Sequence, residues 1–149
     1  MSKKSRSRTK STARPAAAKA DPAAPCPCGR EQSYAECCGP FHRGEATAPT
    51  AERLMRSRYS AFVVLDTAYL LHTWHPSTRP PALDLDAGLR WTGLDILGTK
   101  DGSAFHQEGT VEFRAHYLEE GQADSQRELS RFVRVDGRWV YLDGQNSGS

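Results

Sequence analysis

The sequence predicts an α+β domain with a small cysteine-built knuckle ahead of it, and three observations carry that expectation. All four cysteines fall within thirteen consecutive residues, 26–38. Apolar residues recur at helical spacing over 50–76, and from residue 91 the spacing becomes two. Helices that precede a run of strands pack as one layer on an antiparallel sheet. At 149 residues there is room for one such domain.

The chain begins with a basic stretch. Residues 1–25 hold Lys3, Lys4, Arg6, Arg8, Lys10, Arg14 and Lys19 against one acid, Asp21, whereas the remainder holds thirteen basic and seventeen acidic residues. The segment 1–24 is rich in Ser, Thr, Ala and Pro and has almost nothing to bury, so a disordered tail is expected there. Such a tail suits a solubilising extension, with weak nucleic-acid contact through counterion release as the alternative. No apolar run approaches the roughly 18 residues of a membrane span. No apolar segment follows the basic start as it would in a signal peptide. The cytoplasm is the expected location.

Residues 25–44 make the expected knuckle, with the spacing C-x-C-x8-C-C over Cys26, Cys28, Cys37 and Cys38. Disulfide frameworks are spread along a chain and belong to oxidising compartments. Pairing Cys26 with Cys28, or Cys37 with Cys38, would be strained. Four thiolates on two short arms instead close a tetrahedron around a metal ion. Pro27 keeps the first arm extended, Gly29 allows a tight turn, and residues 31–37 supply a helical turn that brings the second pair across. Soft thiolates with no open position favour Zn2+ in a structural role. Iron–sulfur ligation, cross-paired disulfides and free thiols are the alternatives. His42 stands in reserve as a replacement ligand. The segment has little apolar content, so metal binding is expected to supply most of its folding free energy.

The domain is expected over 45–144, with a flexible end at 145–149. Thr50 caps a helix over about 50–64, with Leu54, Met55, Tyr59, Phe62 and Val63 on one broad face and Glu52, Arg53, Arg56 and Ser60 opposite. Asp66 caps a second helix with Leu70, Leu71 and Trp74 on its buried stripe, stopped by Pro76. After a Pro-rich connection, 76–81, a short helical turn is expected near 83–89. Thr92, Leu94 and Ile96 then alternate with more polar neighbours, and Asp101-Gly102 marks a turn. Val111, Phe113, Ala115 and Tyr117 alternate with polar residues as a half-buried strand does. Glu120-Gly121 ends that strand. Leu129, Val133 and Val135 lie in the next, and Asp136-Gly137 makes a hairpin into Trp139-Val140-Tyr141-Leu142.

Two parts of the chain resemble known families. The pattern C-P-C-G-x(5)-Y-x-x-C-C-G resembles the SEC-C motif, the zinc module at the carboxyl end of the SecA translocation ATPase. Cys38 fills the last ligand position. Arg30, Glu31 and Gln32 stand where the motif has Ser, Gly and Lys, which leaves the ligands untouched. The stretch 51–66, Tyr69-Leu70-Leu71, Thr73 to Thr78 and Arg138 to Gly144 resemble the YchJ-like family. That resemblance implies a cone-shaped domain similar to nuclear transport factor two, with helices against a curved sheet. It implies no particular reaction.

A cone encloses a pocket, and its polar candidates are Tyr59, His72, Trp74, His75, Asp95, His116 and Arg131, with Tyr59, Trp74 and His75 foremost. Arg56 and Arg58 are candidates for an anionic ligand, but about 200° of helix separates them, so both cannot line one pocket. No Ser-His-Asp order, HExxH, phosphate loop or dinucleotide fingerprint appears. The expected function is therefore a metal-binding adaptor that meets a protein partner through the knuckle. A small-molecule binder or enzyme using the pocket is the alternative.

Overall fold

The computed structural model describes residues 21–86 and 88–146. The expected tail lies outside the described residues as far as residue 20. Its last four residues fold onto the knuckle, where the Pro22 and Ala24 carbonyls accept from the N–H groups of Ala35 (3.0 Å) and Tyr34 (2.9 Å). A 3-10 turn at Tyr34–Glu36 and a short helix α1, Gly39–His42, complete the knuckle.

The domain proper holds α2 (Ala51–Val64), α3 (Thr67–His72) and four strands: β1 (Leu89–Asp101), β2 (Glu108–Glu119), β3 (Gln122–Val135) and β4 (Arg138–Asn146). The strands form one antiparallel sheet in chain order. It curves around α2, which packs against β1, β2 and β4. Both expected caps form: Thr50 Oγ1 accepts from the Arg53 N–H at 3.1 Å and Asp66 Oδ1 from the Tyr69 N–H at 3.1 Å. Glu120-Gly121 and Asp136-Gly137 take positive φ at both positions, as a two-residue hairpin of matching twist requires. No helix among the described residues is long and apolar enough to cross a membrane.

Four expectations are corrected. The helical turn expected near 83–89 does not form: residues 82–86 are irregular and Leu89 already begins β1. Two prolines precede the segment, and so short a run forms too few helical hydrogen bonds to offset nucleation. Leu83 and Leu85 turn inward while Asp84 and Asp86 stay exposed. Helix α3 ends at His72, before Pro76, because residues 73–75 join the sheet. The Thr73 carbonyl accepts from the Tyr141 N–H at 2.8 Å, and the His75 N–H donates to the Tyr141 carbonyl at 2.7 Å. In β1 a register shift between Trp91 and Gly93 turns Thr92 outward and puts Trp91 inside with Leu94 and Ile96. Gln145 and Asn146 pair with Leu129 and Glu128 instead of trailing free. Residues 147–149 lie outside the described residues.

The core joins Leu54 and Leu70 from the helices to Val111, Phe132 and Val140 from the sheet, all fully buried. Each such side chain contributes about 1.5–3 kcal/mol by leaving water. In β3 the inward set is Glu128, Ser130 and Phe132. Leu129, Arg131 and Val133 face the other way, beside Asp143 and Glu112 of neighbouring strands.

Candidate functional site

The four cysteines are buried, and their sulfurs all lie within 4.8 Å of one another. Two local features bring them together. Gly29, at φ +96°, reverses the chain after the first pair. The 3-10 turn delivers Cys37 and Cys38 from the other side, and Gly39 then passes so close to the Tyr34 carbonyl that a Cβ there would sit 2.7 Å from it. No disulfide joins them. Tetrahedral metal–thiolate arms of about 2.3 Å place sulfurs about 3.8 Å apart. The Cys28 and Cys37 sulfurs are 3.7 Å apart. The donor set therefore fits one thiophilic ion with every position filled by protein.

The environments of Cys26, Cys37 and Cys38 push their thiol pKa values in different directions. Hydrogen bonds from the Cys28 and Cys38 thiols hold Cys26 well below the ordinary thiol range. Burial pushes the Cys37 thiol up to about 12. Hydrogen bonding to Cys26 pushes Cys38 up. An incoming ion must displace those protons, so its affinity rises with pH.

Helix α2 supplies the surroundings of the cluster. The Ser60 hydroxyl lies 3.5 Å from the Cys26 sulfur and 3.4 Å from that of Cys38. Arg56 Nη1 donates to the Cys28 carbonyl at 2.7 Å, and Arg53 Nη2 reaches the Cys37 carbonyl at 3.5 Å and its sulfur at 3.9 Å. His42 Nε2 donates to the Ser57 carbonyl at 2.8 Å, which leaves Nδ1 to accept from the Tyr34 hydroxyl at 2.6 Å. Both ring nitrogens are thus committed elsewhere, and the reserve role of His42 as a ligand is withdrawn. The polar face of α2 that reads as solvent-exposed is instead a second buried interface, with Ser60 fully enclosed.

The opposite stripe of α2 roofs a cavity of about 210 Å³. Met55, Arg58, Tyr59 and Phe62 line it from the helix, and Trp91, Phe113, Gln126, Glu128, Ser130 and Tyr141 from the sheet. Trp74 closes one side. The cavity so brings together Tyr59 and Trp74. His75 does not line it, and its Nδ1 accepts from the Ser77 N–H at 2.9 Å. His72 is exposed and meets Arg138 at 3.2 Å. Asp95 pairs with His116 at 2.8 Å, and Arg131 with Asp143 at 2.6 Å, all on the outer face of the sheet. The two arginines divide as their 200° separation requires: Arg56 serves the knuckle and Arg58 the cavity. Arg58 is 4% exposed, and burial lowers its pKa only to about 10, so it stays charged at neutral pH. Glu128, Gln126 and Ser130 escape sequence reasoning because polar residues alternating in a strand look solvated.

A four-cysteine knuckle packed on a helix-and-sheet cone defines a two-part, metal-binding class of protein. Family models match both parts: the SEC-C motif over residues 24–40 and the middle domain of YchJ, similar to nuclear transport factor two, over 50–144. The chain belongs to the YchJ family. A protein of Streptomyces coelicolor named UPF0225 is 65% identical over 124 residues, covering 83% of this chain and 97% of that one. A UPF0225 protein of Deinococcus radiodurans is 52% identical over 123 residues, covering 82% and 89%. The solution structure of a SEC-C motif-containing protein from Rhodopseudomonas palustris superposes with a TM-score of 0.73 at 32% identity, over 83% of this chain and 99% of that one. A crystal structure of a SEC-C motif-containing protein from Psychrobacter arcticus gives 0.69 at 29%, over 86% and 85%.

Proposed function

We propose that this chain is a cytoplasmic small-molecule-binding protein whose knuckle carries one structural zinc ion. A single observation carries the reading: α2 serves both sites at once. Arg53, Arg56, Ser57 and Ser60 hold the knuckle, and Met55, Arg58, Tyr59 and Phe62 roof the cavity. Each set is spaced i, i+3, i+4, i+7, so the two stripes lie on separate sides of one helix. Zinc suits the donor set because thiolates are soft and no position is left for water. Four thiolates and a divalent ion carry a net charge of −2, and the guanidinium groups of Arg53 and Arg56 lie against them. The ion thus fastens residues 21–44 to the helix that shapes the cavity.

Docking of a protein partner through the knuckle would use its side away from α2, where residues 21–23, 25, 29–32, 36 and 43–47 are exposed. Elemental analysis of untagged protein purified without added metal tests the first half of the reading. About one zinc per chain, lost in a Cys37→Ser and Cys38→Ser double variant, is expected; counted free thiols and no metal would end it. The second half is tested by adding small aromatic carboxylates, amides and amines and following shifts of the Trp74 and Trp91 indole signals. Silence from every class would remove the ligand-binding function.

A further inference from the structure

We propose that the cavity takes a small planar monocarboxylate, its head on Arg58 and its apolar body against Tyr59, Phe62 and Trp91. The inference rests on the cavity being a ligand site. Its starting point is the unbalanced state of Arg58. The guanidinium is buried, yet Nη1 donates to two uncharged acceptors, the Leu70 carbonyl at 2.8 Å and Thr73 Oγ1 at 2.7 Å. Among the described residues no carboxylate lies within ion-pair distance of it, and Nε and Nη2 make no hydrogen bond. Glu128 acts on it only through space, from the cavity wall. A buried charge without a contacting counter-ion is expensive, which makes an incoming anion the contact the site lacks.

The rings around Arg58 restrict how that anion approaches. Its guanidinium carbon lies 5.1 Å from the centroid of Trp74 and 4.7 Å from that of Tyr141. The two ring centroids are themselves only 5.2 Å apart, so both rings lie to one side of the guanidinium, and a carboxylate that pairs with its N–H groups must come from another side. The Trp74 Nε1–H is buried without an acceptor.

Glu128 is the carboxylate of the cavity wall, and it already has donors. Ser130 Oγ lies 2.7 Å from its Oε2, and the Tyr141 hydroxyl 3.4 Å from the same atom. The unmet demand is therefore for negative charge, at Arg58. Size and lining select the rest of the ligand. A cavity of about 150 Å³ holds benzene, so 210 Å³ accommodates a ring with a short acidic head. Trp91 stands 6.2 Å from Tyr59 and 6.0 Å from Phe62, an aromatic wall for that ring.

The test uses the full zinc-loaded chain titrated with benzoate, benzamide and benzylammonium, followed by amide and indole shifts. Benzoate is expected to bind tighter than benzamide by about tenfold, the worth of one charge-assisted hydrogen bond, with benzylammonium weakest. Glu128→Gln should tighten benzoate and Arg58→Gln should erase its advantage. Equal affinity for benzoate and benzamide, or a preference for benzylammonium, overturns the proposal. That comparison needs only the unaltered chain, so it stands even where Arg58→Gln fails to fold. A response to some probes without anion preference leaves the cavity a ligand site and removes only the carboxylate. No response to any of the three sinks both.

Discussion

The knuckle and the cone are joined along one helix but are held together by different physics. The cone buries Leu54, Leu70, Val111, Phe132 and Val140 completely, a contiguous apolar core between helix and sheet. The knuckle has Phe41 and little else beside its cysteines; Tyr34 and His42 there are engaged in hydrogen bonds. Its hydrogen bonds to α2 run through Arg53, Arg56, Ser57 and Ser60, while its cysteines and Phe41 continue the apolar cluster of the cone. A region with so few apolar side chains of its own depends on whatever fixes its cysteines, whereas the cone depends on close packing. The difference teaches that α2 is amphipathic in an unusual sense, with both faces covered and its hydrogen bonds to the knuckle gathered on one of them.

Removing the metal should break the comparison most sharply. Structural zinc supplies an apparent 10–16 kcal/mol, roughly, in small zinc modules. Treatment with a strong chelator is expected to abolish amide-exchange protection across residues 24–42 and leave β2 and β3 protected. Persistent protection in the knuckle would mean that its polar contacts with α2 suffice. The converse change acts on the cone. Phe132→Ala should cost about 3–5 kcal/mol, as large-to-small core changes do, and lower the denaturant midpoint. Metal stoichiometry should stay unchanged below that midpoint. Metal lost ahead of the unfolding of the cone would show that the two regions are not separable.

Sequence alone revealed the parts whose chemistry tolerates few residue types. The gathering of the four cysteines, the side-chain caps at Thr50 and Asp66, the alternation of Val111, Phe113 and Ala115, and the Asp136-Gly137 hairpin each follow from local rules. The partner of each surface was hidden. Arg53, Arg56 and Ser60 read as a solvated helix face, because nothing local tells water from a polar neighbour brought across by the chain. The same ambiguity concealed Glu128 and Ser130 in the cavity wall. Near 83–89, Asp84 and Asp86 alternate with Leu83 and Leu85, a period of two that the expected helical turn passed over.

Ser60→Ala sharpens the contrast at smaller cost. The hydroxyl lies between two ligand sulfurs, and loss of such outer partners typically lowers metal affinity 10- to 100-fold. Competition with a chromophoric chelator should read this drop, while the unfolding midpoint of the metal-free cone barely moves. An equal loss of cone stability would assign Ser60 to the core rather than to the metal centre.

Thr50→Ala should have the smallest effect and the most even one. Thr50 Oγ1 satisfies the Arg53 N–H at the start of α2, and the Ala51 N–H is satisfied separately by the Gly102 carbonyl at 2.9 Å. Loss of one cap costs about 1 kcal/mol. Because α2 is shared, the cost should appear in full in the cone and be the same with metal bound or removed. Denaturant unfolding of both forms measures it. A larger penalty in the metal-bound form would mean that the first turn of α2, through Arg53 and its contact with Cys37, is ordered by the knuckle, and the boundary between the two regions would move inside the helix.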